Sequence, residues 1–186
     1  MEQKEVYTVT NLVASTDLGL TLDLYELTTH FKNIEYEPEQ FPGAILKFNE
    51  PKATILIFKN GKIVCVGCRT RELIDKAIRK VYNLLKPYAS EKRKNYDLDK
   101  PVYDLTNIVA SADLKMNLDL FKVATELPDI EYEPEQFPGA IVKLRDLQVS
   151  LLVFKNGKII IAGAKSLEKI EKAIKQIRKM LQSTTV

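Results

Sequence analysis

The chain of 186 residues has no tryptophan, two cysteines and one histidine. A four-ligand Cys/His zinc site cannot be assembled from so few soft and imidazole donors. Cys65 and Cys68 are spaced C-x-x-C, as in some zinc sites and thioredoxin-like redox motifs. An internal repeat, described below, places Ile161 and Ala164 at those positions and Glu126 at the position of His30. Alternation along a strand would also send the two thiols to opposite faces, so no metal and no redox chemistry is expected. A glycine-rich phosphate loop is missing as well, and no cofactor is expected. No apolar run approaches the roughly 18–20 residues of a membrane span, and the N-terminal Met1-Glu-Gln-Lys-Glu5 lacks the apolar core of a signal peptide. A soluble, intracellular protein is therefore expected. Excess charge of one sign is also lacking. With 28 basic against 25 acidic residues the net charge is +3, too small to identify a class of partner by itself. The 45% hydrophobic content is sufficient for a globular core.

What the chain does have is repetition. Residues 11–82 and 107–178 align at a constant offset of 96 without a gap, with 36 of the 72 pairs identical. The longest shared run is Ile34 to Ile45, repeated as Ile130 to Ile141, and Phe58 to Ile63 returns as Phe154 to Ile159. A period this long exceeds the roughly 20–50 residues of solenoid units, so each copy reads as one α/β half of a pseudo-two-fold molecule. The expected organisation is a first repeat over 1–90, a linker over 91–101 and a second repeat over 102–186.

Within each copy, apolar residues at 6–15 and 102–111 cluster without a 3.6-residue period and read as strands. Residues 20–31 and 116–127 read as helices, with acids near the start and apolar spacing of three and four; Pro128 ends the second. Three strands follow in the first copy, over 44–48, 54–58 and 62–67. Asn60-Gly61 and Asn156-Gly157 suit the type I′ turn of a hairpin. Closing helices span 70–86 and 166–181, with Thr70 and Ser166 as N-caps. The polar stretch 88–100, with Lys92-Arg93-Lys94, reads as a solvated linker. The fold class is α+β: two repeats sharing one curved antiparallel sheet of about ten strands, a saddle with helices on the convex face.

Two helices per copy cover one face of such a sheet, yet the hairpin strands are apolar on both. Leu56, Phe58, Val64 and Val66 share the face left over, and an apolar face of that size marks an interaction surface. A second helix layer, a homodimer through the sheet or a protein-interaction scaffold would each bury it. Three details favour a nucleic acid. Lys47, Lys59, Lys62, Lys143, Lys155 and Lys158 rim the strip and suit phosphates. Asn11 and Asn107, disfavoured within strands, suit hydrogen bonds to base edges and are followed on the same face by Val13 and Val109. Phe41-Pro42 and Phe137-Pro138 stand beside Phe58 and Phe154 as two apolar wedges.

The duplicated N-[IL]-V-A-S openings, E-Y-E-P-E-Q-F-P-G loops and F-K-N-G-K-I hairpins together resemble the TATA-box-binding family, the general transcription initiation factors of archaea and eukaryotes, over nearly the whole chain. Wedged side chains and sharp DNA bending are that family's own mechanism and enter here by resemblance. The resemblance implies a sheet lying in the minor groove of an A·T-rich promoter element. Phe41 with Phe58 and Phe137 with Phe154 would unstack a base step at each end. Asn11 and Asn107 would bond minor-groove acceptors. Val13, Val109, Leu56, Leu152, Val64, Ile160, Val66, Ala162, Pro42 and Pro138 would line the groove floor. Lys47 and Lys143, where many relatives have Arg, would hold phosphates with Lys62 and Lys158. Val66 and Ala162 stand where many relatives have Thr, which removes two hydrogen bonds and shifts readout toward the asparagines and DNA deformability.

Glu133, Glu135 and Gln136 match the family's positions for transcription factor B, a basic partner; RNA polymerase would follow. Glu37, Glu39 and Gln40 are identical, so the choice of half comes from the family alone, and the same acids would also solubilise the loop tip. By resemblance the source is archaeal, the location cytoplasmic with the nucleoid, and the DNA-free protein a possible homodimer. An enzyme is not expected. Glu35, Glu37 and Glu39 could suggest a nuclease-like metal site, but they lie beside Pro in a turn with no His or Lys in an acid or base role.

Overall fold

The computed structural model describes residues 5–182. They divide into two compact units, one of residues 11–106 and one of residues 5–10 with 107–182. In the first unit β1 (Tyr7–Asp17), β2 (Leu20–Leu22), α1 (Leu24–His30), β3 (Ile34–Glu35), β4 (Ala44–Asn49), β5 (Lys52–Ile57), β6 (Lys62–Cys68), α2 (Arg71–Leu85) and β7 (Ala89–Lys92) follow in order. In the second come β8 (Asp104–Asp113), α3 (Leu120–Glu126), β9 (Ile130–Glu131), β10 (Ala140–Leu144), β11 (Val149–Val153), β12 (Lys158–Ala164) and α4 (Leu167–Leu181). The unit boundaries fall inside β1 and β8. Strand order is β3-β4-β5-β6-β1 in one unit and β8-β12-β11-β10-β9 in the other.

The core of each unit lies between one face of its strands and its long helix. In the first, Leu12, Ala14, Ile55, Ile57, Ile63 and Cys65 are buried with Ile74, Ala77, Ile78, Val81 and Leu85 of α2. That helical spacing places these buried residues on one stripe. In the second, Ile108, Ala110, Leu151, Val153, Ile159 and Ile161 are buried with Ile170, Ala173, Ile174, Ile177 and Leu181 of α4. Each buried Ile or Leu contributes about 1.5–3 kcal/mol. Thr70 and Ser166 cap these helices by accepting from Leu73 N and Lys169 N, as expected from sequence.

Several local expectations are corrected. The first helix of each repeat is shorter than its periodicity suggests. Asp23 and Asp119 take extended N-cap angles and accept from the backbone amides two and three residues on, so α1 and α3 begin at residues 24 and 120. Leu20–Leu22 instead alternates buried, half-buried, buried and pairs with β7. The linker is therefore not merely solvated. Arg93 Nη2 donates to Asp17 Oδ1 (2.9 Å) and to Asn60 O (2.5 Å), and Arg93 N donates to Gly19 O (2.7 Å). The hairpin turn is also not type I′. Gly61 N donates to Phe58 O and Phe58 N to Lys62 O, both at 2.9 Å, and of the loop residues only Gly61 has positive φ (+78°). This is a three-residue loop with its glycine in the left-handed position.

The thiols do not point to opposite faces. Pairing shifts from Val13↔Val66 to Leu12↔Cys68, so Gly67, at φ +97°, is an extra residue. This bulge returns Cys68 to the core side, where its Sγ lies 3.7 Å from that of Cys65. Burial pushes the Cys65 thiol far up and raises Cys68 as well, even though the hydrogen bond with Cys65 pulls Cys68 down. Both therefore remain protonated core groups. Among the described residues no three His, Cys, Asp or Glu side chains come together as a metal-binding group, and no helix is long and apolar enough to cross a membrane.

Partial burial tends to raise the Asp17 carboxyl, but Gly19 N–H, Arg93 and Lys94 outweigh it and hold the carboxyl below its ordinary value. The stabilisation is thus fully present above the ordinary carboxylate pKa of about 3.9 and is lost as pH falls through the lowered value. Asp17→Asn is expected to cost about 0.5–1 kcal/mol at pH 7, the range for a partly exposed ion pair with good hydrogen bonds. Thermal unfolding should show the gap from wild type closing on strong acidification; a gap independent of pH would contradict it.

Candidate nucleic-acid interface

The strand face turned away from α2 carries the first repeat's candidates. Asn11, Val13, Leu56, Val64 and Val66 are half-buried, whereas Leu12, Ala14, Ile55, Ile57, Ile63 and Cys65, alternating with them on the same strands, are fully buried. Register joins them: Val13 faces Val66, Leu56 faces Val64 and Ile45, and Thr54 faces Val66 and Lys47. In the second unit Leu152 faces Ile160 and Ile141, and Ser150 faces Ala162 and Lys143; Asn107 and Val109 are half-buried on β8. Each unit therefore presents one partly exposed apolar strip bordered by lysine.

The phenylalanines expected from sequence to pair do so. Phe41 and Phe58 meet edge to face with ring centroids 5.8 Å apart, and Phe137 and Phe154 at 5.9 Å. Edge-to-face geometry is favoured by the ring quadrupoles. Phe41 is placed by the turn before β4, where Glu37 O accepts from Gln40 N and Phe41 N; Phe58 directly follows β5 at the hairpin. Pro42 shares a cleft with Phe58, Lys62, Val64 and Ser15, and Pro138 shares one with Phe154, Lys158, Ile160 and Ser111. A Cβ on Gly43 would lie 2.8 Å from Phe41 Cε1 and 3.1 Å from Phe58 Cε1, and Gly139 repeats both distances. These glycines are the floor on which each ring pair rests. The P-G that follows Phe41 and Phe137 was the available sequence signal for this floor.

The asparagines have a defined orientation. Gly67 N donates to Asn11 Oδ1 and Gly163 N to Asn107 Oδ1, each at 2.8 Å. A bulge amide needs an acceptor, so the carboxamide oxygen is held there and the NH2 group, a pure donor, is left facing outward. Sequence reasoning chose both asparagines but missed the glycine that aims each one.

The lysines divide into two kinds. Lys47 Nζ lies 3.6 Å from Glu35 Oε1 and Lys143 Nζ 2.7 Å from Glu131 Oε1. Register accounts for both pairs, because Glu35 and Glu131 sit opposite Ile45 and Ile141, one strand position pair from each lysine. All four side chains are largely exposed, so each pair contributes about 0–1 kcal/mol and opens readily. Lys62 and Lys158 are exposed beside the hairpins. Glu133, Glu135 and Gln136 are exposed at the loop tip of the second unit; Gln136 Nε2 donates to Glu133 Oε2, and Glu133 O accepts from Gln136 N and Phe137 N.

The comparisons with known proteins agree with this geometry. The family model described as "Transcription factor TFIID (or TATA-binding protein, TBP)" matches residues 6–88 and again 102–184. This chain belongs to the TATA-binding protein family. It is 42% identical over 174 residues to the TATA-box-binding protein of Sulfurisphaera tokodaii, covering 94% of this chain and 85% of that one. It is 39% identical over 177 residues to that of Archaeoglobus fulgidus, covering 94% of each. The solved Methanococcus jannaschii TBP superposes with a TM-score of 0.84 at 36% identity, over 96% of this chain and 99% of that one. The two-repeat antiparallel fold with two helices in each repeat, expected from the sequence, is thus the fold of the TATA-binding protein family.

Gly139→Ala is expected to lower stability by about 1–3 kcal/mol, the usual cost of overpacking, because its methyl must displace the Phe137 ring. Denaturant unfolding, read as a lower midpoint at unchanged slope, checks this; an unchanged midpoint would mean that the glycine does not support the ring pair.

Proposed function

We propose that the chain is a non-catalytic general transcription initiation factor. Its partly exposed strand faces bind the minor groove of an A·T-rich TATA-box element and bend it. Bound DNA then presents the acidic loop to transcription factor B, which brings RNA polymerase. The observation carrying this reading is the orientation of Asn11 and Asn107, whose amide oxygens are occupied by Gly67 and Gly163 N–H. In the minor groove A·T pairs offer only acceptors, whereas G·C adds the guanine amino donor. A donor aimed out of an apolar strip is complementary to the first and mismatched to the second.

The remaining candidates take roles consistent with their positions. Phe41 with Phe58 and Phe137 with Phe154 are the wedges, at a cost of a few kcal/mol per unstacked step. Val13, Val109, Leu56, Leu152, Val64, Ile160, Val66, Ala162, Pro42 and Pro138 exclude water from the groove floor. Lys47, Lys143, Lys62 and Lys158 meet phosphates. The acidic Glu133 and Glu135 with Gln136 complement a basic protein, a form of complementarity that mainly sets association rate and selectivity. Free of DNA, the same apolar faces would pair two copies. The family's relatives carry a DNA-binding name, and the site of action is the nucleoid in the cytoplasm.

Bending, read by fluorescence transfer between the ends of a short TATA duplex, tests the wedges. Phe137→Ala and Phe154→Ala should reduce bending more than Lys143→Ala. The lysine variant should instead reduce the slope of log K against log salt by up to about 1, the share of one released phosphate counterion. Equal bending in all three variants would overturn the assignment. Glu131→Gln frees Lys143 from its own carboxylate and should tighten binding by up to about fivefold, the equivalent of the 0–1 kcal/mol of an exposed pair. A titration showing weaker binding would mean that Glu131 positions Lys143 for its phosphate and does not compete with it.

A further inference from the structure

The two strips differ most at one pair of facing positions. In the first repeat Thr54 faces Val66, which also faces Val13; in the second Ser150 faces Ala162. We propose that the second repeat accepts one G·C pair that the first rejects, with the guanine 2-amino group lying over Ala162 and donating to the Ser150 hydroxyl. The proposal rests on the minor-groove reading above and specifies which sequences that groove can contain.

The amino group is the one minor-groove feature that separates G·C from A·T, so tolerance requires space for it and an acceptor near it. Val66 fills the space with two methyl groups that Ala162 lacks, and it does so beside Val13. A guanine amino group there would lose its water to hydrocarbon without a partner. The Thr54 hydroxyl is an acceptor, but the Val66 methyls keep the base edge away from it. In the second repeat the methyls are absent. Ser150 is exposed and directly opposite Ala162, where facing Cβ atoms lie about 4.5–5.5 Å apart, within reach of one shared base edge. The nearby asparagine does not substitute for it, because Asn107 turns its Oδ1 toward Gly163 N and presents its NH2 group, a donor. Ile160, larger than its counterpart Val64, faces Leu152 on the neighbouring pair, which confines the tolerance to a single step.

The test is a competition titration of the full chain against duplexes in which G·C replaces A·T at each position of a TATA-like element, singly and at symmetry-related positions together. At one position the single replacement should bind within about threefold of the parent, because the protein can orient its second repeat over it. The double replacement should bind roughly tenfold or more weakly, as for an ordinary mismatched pair. Ala162→Val should raise the penalty of that single replacement, relative to the same variant on the parent duplex, by roughly tenfold. Val66→Ala should restore binding to the double replacement. Two equal penalties in the wild type, or an unchanged ratio in both variants, would overturn the proposal. Failure of the underlying reading is separately visible as equal wild-type affinity for the parent and a fully G·C duplex.

Discussion

Each repeat has one long helix and a set of strands that are apolar on both faces, and the rest of the structure is arranged around that shortage of cover. α2 and α4 bury one face completely: Ile55, Ile57 and Ile63, and likewise Leu151, Val153 and Ile159, are at most 1% exposed. The opposite residues, Leu56, Val64, Leu152 and Ile160, remain half-exposed. Exposed apolar area forgoes about 25 cal/mol for each Å2 that could be buried, and a contiguous strip of it marks a surface awaiting a ligand. The glycine bulges and the phenylalanine pairs stand at the borders of that strip. They turn a sheet face into a shaped surface with donors in one place and wedges in another.

Strand geometry ties core and surface together. Gly67 inserts one residue, and three consequences follow from the shift: Cys68 returns to the core, Leu12 and Val13 change partners, and one backbone N–H is left to hold Asn11. Gly163 repeats the arrangement with Asn107. A bulge that serves packing thus also aims a polar group. The two repeats are not equivalent elsewhere. Asp17 is held by Gly19 N–H, Arg93 and Lys94, whereas the matching Asp113 is held by its own loop through Lys115. The hairpin loop that follows Phe58 is therefore tied to the linker through Asn60 O.

Much of this was legible in the sequence because it is periodic or duplicated. Alternation identified the strands and their two faces, three- and four-residue spacing identified α2 and α4, and the fixed offset of 96 doubled every observation. The phenylalanine pairs were readable because both members lie in shared runs. Features that depend on a single residue's backbone state were not readable. Periodicity merged Leu20–Leu22 into a helix because Leu20, Leu24 and Leu27 also fit a helical stripe, and only the cap at Asp23 separates strand from helix. Asn-Gly fits two hairpin loops that differ in the φ of one asparagine. A bulge violates strict alternation, so it reversed the expected side of Cys68. The Glu35–Lys47 and Glu131–Lys143 pairs depend on cross-strand register, which lies outside the reach of linear spacing.

We propose that the half-exposed strand faces bind an A·T minor groove and bend it. The most direct measurement is a binding titration, with end-labelled fluorescence transfer as the readout, on a short TATA-like duplex against a G·C-substituted control. Saturable, salt-sensitive binding to the first duplex with a large rise in transfer, and little of either with the second, is the expected result. Equal affinity for both, or binding without a rise in transfer, would contradict it and make the apolar face a surface for a protein partner.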